Sequence, residues 1–221
     1  MKESFSVFDQ INIKIDPVEV IRQLGYSHAD DVSGQLRKRI EQETARVLRL
    51  IESRGAYFVL DQSQRRDFEL FTRAERIVLA LATIGPSVEL RAKKMLENNE
   101  SIRGLIADAA GTIAAEKTAD FVEHKIRRHF TNLGWKISRR YAPGYCEWNI
   151  TAQRDIFAHF PDTLGIELTD GCLMVPEKSL SFISLLSKSR DFKEIKVGDC
   201  RNCRQQRCPY RITPYKTTSQ D

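Results

Sequence analysis

The ten residues RRYAPGYCEW, Arg139 to Trp148, bring together two guanidinium groups, a Pro-Gly pair, three aromatic rings and a thiol. Arg140 can fork onto a carboxylate with two parallel N–H bonds. Pro143 and Gly144 stand in the order a type II turn requires, the proline fixing one dihedral and the glycine supplying a positive φ. Such a turn would leave main-chain groups of Ala142 and Gly144 unpaired and able to read the edge of a base, with the Tyr145 ring beside them to stack on it. A packed hairpin corner has the same composition, so the pattern leaves both readings open.

A second set of reactive groups lies near the C-terminus. Cys200, Cys203 and Cys208 run as C-x2-C-x4-C-P, close enough for thiolates to share one metal centre, with the proline that follows the last cysteine in some iron–sulfur sites. Three ligands leave the set one short, and Cys146, Cys172, a histidine or a second chain could supply the fourth. An iron–sulfur cluster, zinc or plain reduced thiols all fit this count. Arg201, Arg204, Arg207, Arg211 and Lys216 interleave with Tyr210 and Tyr215, which is also how a metal-stabilised basic module that binds nucleic acid is built. An acidic partner is the bland alternative for these charges.

The elements that must position these groups can be read from periodicity. Ile11, Ile13 and Ile15 alternate as a half-buried strand does, and Asp16, Pro17 and Glu19 open a short helix that Gly25 closes. A second helix is expected from about Ser33 to Arg54, followed by a strand at AYFVL. The run RIVLALATIG is expected as a buried strand, and Gly85-Pro86 turns the chain into a helix ending near ENNE. A long helix then runs from Ser101 to about Leu133, with one apolar stripe through Ile102, Leu105, Ile106, Ala109 and Ile113 and a rotated one through Val122, Ile126, Phe130 and Leu133. Glu116 projects where the two stripes meet, so its carboxylate faces inward and needs a partner, either a neighbouring basic side chain or a ligand. WKISRR alternates as a strand, Asn149 or Thr151 caps a short helix carrying Ile156, Phe157 and Phe160, and LGIELTDGCLMVPEKSLSFISLL reads as a hairpin turning at Asp170-Gly171. The expected class is α+β, a twisted, mainly antiparallel sheet with flanking helices. Its divisions are residues 1–75, a helical and strand portion; 76–198, the binding core; and 199–221, a basic cysteine-rich tail.

The chain of 221 residues is 29% charged and 41% hydrophobic with a net charge of +5, an ordinary soluble composition. Its longest apolar run is too short to span a bilayer, and its first ten residues lack the pattern of a secretion signal, so a cytoplasmic protein is expected. Neither a G-x-G-x-x-G nor a G-x-x-x-x-G-K-[ST] loop is present, which argues against a dinucleotide fold and a P-loop.

RRYAPGYCEW, the helical segment GTIAAEKTADFVEHKI before it and GIELTDGCLMVPEKSLSFI after it resemble the activation (reactivation) domain of cobalamin-dependent methionine synthase, over roughly residues 76–186. That resemblance implies a site for S-adenosylmethionine. It places Arg140 on the methionine carboxylate, Ala142, Gly144 and Tyr145 in the turn that holds the cofactor, and Glu116 as the helical acid that contacts it. It implies methyl transfer from S-adenosylmethionine to a reduced cobalamin, a reaction carried by positioning with no catalytic residue of the chain's own. With no D-x-H-x-x-G motif or other module present, the corrinoid would be held by a partner, a corrinoid-binding methyltransferase or a split methionine synthase core, served by an electron donor; a cluster in the cysteine tail would suit that reduction. Tyr141 and Tyr145 are candidates to pack on the corrin face. Two departures from the family pattern stand out: Phe192 where a tyrosine is expected, and Phe182 where a glycine is usual, a ring large enough to reshape the cofactor face. Binding of S-adenosylmethionine without turnover, and the nucleic-acid module, are the alternatives.

Overall fold

Arg76–Thr83 carries one charge, at its first residue, and a run that apolar suits a strand covered on both faces. In the computed structural model, which describes residues 5–60, 68, 71, 74–145, 148–189 and 192, that strand is the centre of the sheet. The chain forms β1 (Phe5–Phe8), α1 (Pro17–Gln23), α2 (Gly34–Leu48), β2 (Arg54–Leu60), β3 (Arg76–Thr83), α3 (Ser87–Glu97), α4 (Ser101–Asn132), β4 (Lys136–Ile137), α5 (Gln153–Ala158), β5 (Glu167–Leu168), β6 (Met174–Val175) and β7 (Ser179–Ser187). Five strands make one antiparallel sheet in the order β1-β2-β3-β7-β4, while β5 and β6 form a separate small ribbon. The fold is α+β, an antiparallel sheet flanked by helices, one of them long.

Alternation along β3 divides the core. Val78, Ala80 and Ala82 face α4 together with Val122, Ile126 and Phe182. Ile77, Leu79 and Leu81 face the opposite layer, where they meet Tyr141, Trp148 and Ile156. The helix sits close because Gly55 in β2 has no side chain; a Cβ there would drive into Val122 Cγ2. A third cluster joins α1, α2, α3 and the first half of α4.

Local signals placed α1 well. Asp16 accepts from the Val18 N–H, Glu19 reaches back to the Asp16 N–H, and Gly25 follows the helix at φ +96°. Elsewhere tertiary pairing overrode the pattern. Ile11, Ile13 and Ile15 alternate in burial but form no ladder, their segment being held instead by reciprocal bonds between Ile11 and Ser53. The strand at this end is β1. The second helix stops at Leu48, since Arg54 onward is committed to pairing with β3. In α4, Ile106 and Ala109 of the expected stripe are buried but Ile102 and Leu105 are exposed, and the inward face also takes in Gly104, Ala107, Ala110 and Gly111, small residues that let α3 approach. The hairpin forms, yet its turn is wider than Asp170-Gly171: Thr169 N–H bonds Leu173 O at 2.9 Å, and the positive φ falls on Cys172. Among the described residues no helix is long and apolar enough to cross a membrane.

Candidate functional site

The segment after β4 continues along β7 with one residue too many. Ser138 N–H bonds Leu185 O at 3.0 Å and Tyr141 N–H bonds Ile183 O at 2.8 Å, three steps on one strand against two on the other. The surplus residue bulges the strand, and a bulge re-aims the side chains around it. Arg140 is aimed at α4.

On α4 the acids Glu116, Asp120 and Glu123 recur at helical spacing and share one face. All three lie about the same guanidinium: Arg140 Nη2 donates to Glu116 Oε2 at 2.7 Å, Nη1 stands 3.0 Å from Asp120 Oδ1, and Nε stands 3.8 Å from Glu123 Oε2. The Nη1 contact with Asp120 is an ion pair in distance only; the buried Nη1 has no hydrogen-bond acceptor among the described residues. Beneath the guanidinium lies the Phe182 ring, 5.7 Å from Arg140 Cζ. Arg127 braces the arrangement, donating to Glu123 Oε1 at 3.2 Å and to Ser138 O at 3.0 Å, so that it ties the bulged strand to the helix. Burial pushes the Glu116 carboxyl above its ordinary range, Arg140 pulls it back, and Asp120 pushes it up further.

The Pro-Gly corner follows directly. Tyr145 N–H bonds Ala142 O at 3.3 Å and Gly144 takes φ +85°, the geometry expected of a type II turn. Gly144 N–H is itself spent on Trp148 O at 2.8 Å, so two of the four main-chain groups expected to be free are satisfied within the corner. The aromatic rings divide by role. Trp148 is buried edge-on to Phe71, and Tyr141 is buried too and cannot pack on an outside ring system. Tyr145 is 47% exposed. Ala142 packs against the cluster that holds Phe182.

Of the residues singled out in the sequence, Glu116 and Arg140 touch, and Ala142, Gly144 and Tyr145 follow within five positions of that contact. Asp120, Glu123 and Arg127 were missed, although their spacing from Glu116 is the signal that finds them. The Phe182 ring lies under Arg140, and Phe192 packs on the opposite layer. Cys200, Cys203, Cys208 and Cys146 lie outside the described residues. Cys172 is buried and accepts from Arg154 Nε at 3.0 Å. Among the described residues no group of three or more His, Cys, Asp or Glu is arranged to hold a metal ion.

No family model matches the sequence, and no curated protein does. Among solved structures, one described as the crystal structure of the MetH reactivation domain bound to AdoHcy matches with a TM-score of 0.63 at 13% identity, over 86% of this chain and 79% of that one. At that identity the likeness is one of fold.

Proposed function

We propose that the chain binds S-adenosylmethionine between α4 and the Pro-Gly corner and supports the reductive remethylation of a corrinoid held by a partner protein. The observation that carries this reading is the opposed pair Arg140 and Glu116, brought from two elements to 2.7 Å at a partly open site. An amino-acid zwitterion offers the complement of that pair, a carboxylate for the guanidinium and an ammonium for the carboxylate. The residues fit such a group: among the described residues the buried Arg140 Nη1 has no hydrogen-bond acceptor, which an incoming carboxylate oxygen would provide. Three carboxylates against two guanidiniums, Arg140 and Arg127, leave the cluster one charge negative, which favours a sulfonium. The fold shared with a domain that binds AdoHcy adds to this support.

When bound, S-adenosylmethionine supplies a methyl already activated by its sulfonium. The chain's own part is to hold and orient. Phe182 fixes the plane of Arg140, Arg127 keeps Glu123 from closing on Nε, and exposed Tyr145 offers a ring face beside the corner. No residue of the cluster needs to move a proton. The acceptor corrinoid and the electron that reduces it come from partners.

Calorimetric titration with S-adenosylmethionine is the decisive experiment. The parent chain should bind one equivalent, and Arg140→Ala should bind at least about tenfold more weakly, the worth of a charge-assisted fork, with an unchanged unfolding midpoint. Absence of binding heat in the parent overturns the proposal. Binding without remethylation of a reduced corrinoid protein would leave an S-adenosylmethionine-binding protein without turnover.

A further inference from the structure

At the other end of α4, its first turn borders a cleft of about 660 Å³ lined by α2 and the α3–α4 connection. Its floor is Glu43, a carboxylate only 1% exposed. Glu43 is held by three arginines from three helices: Arg91 at 2.7 Å, Arg46 at 3.0 Å and Arg103 at 3.3 Å. Arg103 also pairs with Glu100. Arg39, one turn before Glu43 on the same face of α2, lines the cleft and makes no ion pair or hydrogen bond among the described residues. Three guanidiniums, Arg39, Arg46 and Arg103, thus line the cleft with two carboxylates, Glu43 and Glu100, which leaves one positive charge over, while Arg91 holds Glu43 without lining the cleft.

Two of these arginines are built in, because the buried carboxylate fixes Arg46 and Arg103 where a surface patch would leave them mobile. Burial alone would push the Glu43 carboxyl up, but hydrogen bonds and charges from Arg91, Arg46 and Arg103 hold it below its ordinary range, so the floor stays ionised. The lining arginines remain open at their outer edges, with Arg46 43% and Arg103 37% exposed. Planar guanidiniums match the oxygens of phosphate two at a time. The uncapped first turn of α4 reinforces the field without being its source. Ile102, exposed on the lip, adds an apolar edge. The volume is that of a small-molecule site.

We propose that this cleft binds a phosphate-bearing small molecule, its anionic head set between Arg39 and Arg103 and its body against Ile102. The site stands apart from the Arg140 cluster and does not depend on the function proposed there.

Inorganic pyrophosphate titrated into the full chain by calorimetry, with sodium chloride at matched ionic strength as the blank, is the test. Saturable binding of one equivalent is expected, weakened about tenfold by Arg39→Gln, the loss of one charge-assisted contact, and unaltered by Arg140→Ala. Arg39 holds no other side chain in place among the described residues, so Arg39→Gln should fold as the parent does, which a matching unfolding midpoint would verify. Heat no larger than the chloride blank, binding indifferent to Arg39→Gln, or binding of a single-stranded oligonucleotide in preference to pyrophosphate would overturn the proposal.

Discussion

The two charged clusters on α4 are inverses of each other. Around Glu43 one buried acid is held by three arginines; around Arg140 one arginine is contacted by three acids. The outcome differs because the surplus sign differs in each. At the first, every oxygen of the buried carboxylate has a donor and its proton affinity falls. At the second, three acids crowd one guanidinium, its Nη1 has no hydrogen-bond acceptor among the described residues, and Glu116 binds its proton more tightly than usual. The first is a fully paired joint on which the arginines of the cleft are set, and the second keeps an unmet donor, the feature on which the S-adenosylmethionine proposal rests.

The strongest way to break this contrast is Glu43→Gln. It would strand three partly buried guanidiniums and should cost about 2–3 kcal/mol of stability in urea unfolding at neutral pH, below the full value of a buried pair because the arginines reach solvent. Arg140→Ala should do the reverse, reducing affinity for S-adenosylmethionine by about 30-fold while shifting stability by under about 1 kcal/mol. Equal stability losses in the two variants would erase the distinction. Phe182→Leu sharpens it: removing the fully buried ring under Arg140 should cost about 1 kcal/mol and weaken binding by about two- to fivefold, the ring's hold on the cation being modest. Titration with pH separates the two acids last and most finely. The lowered Glu43 contributes stability that is present above its ordinary value and lost as pH falls through its folded pKa, so Glu43→Gln should flatten the acid limb. The raised Glu116 does the opposite, its folded state gaining at low pH and losing that gain as pH rises from the ordinary value through the raised one. Glu116→Gln should therefore gain on the parent as pH rises, and in the parent, binding of S-adenosylmethionine should strengthen over the same window as the carboxylate ionises.

What could be read beforehand followed from how local each signal was. The capping box of α1, the extent of α4 and the Gly144 corner depend on residues within one turn of each other, and they stand as expected. The meeting of Glu116 with Arg140 needed only the helix wheel and the resemblance, but Asp120 and Glu123 enter because the bulge in the strand after β4 turns Arg140 toward a whole helical face, and a bulge has no signature in WKISRR. The Glu43 joint went unseen although its trace was there: Glu43 lies three residues after Ile40 and four before Val47, an acid on the apolar stripe of α2. A charge in that position requires partners, and besides Arg46 on its own helix they came from α3 and α4, more than forty residues away. The exposure of Ile102 and Leu105 has a similar cause, since the close contact with α3 selects the glycine and alanine side of α4 over its bulkier one.

α4 runs unbroken through thirty-two residues, and Arg103 and Glu116 lie on it about 20 Å apart at 1.5 Å per residue. It acts as a ruler between two clusters of opposite surplus charge, the arginines about Glu43 and the acids about Arg140. A helix wedged this tightly keeps that interval constant, so neither cluster can drift toward the other.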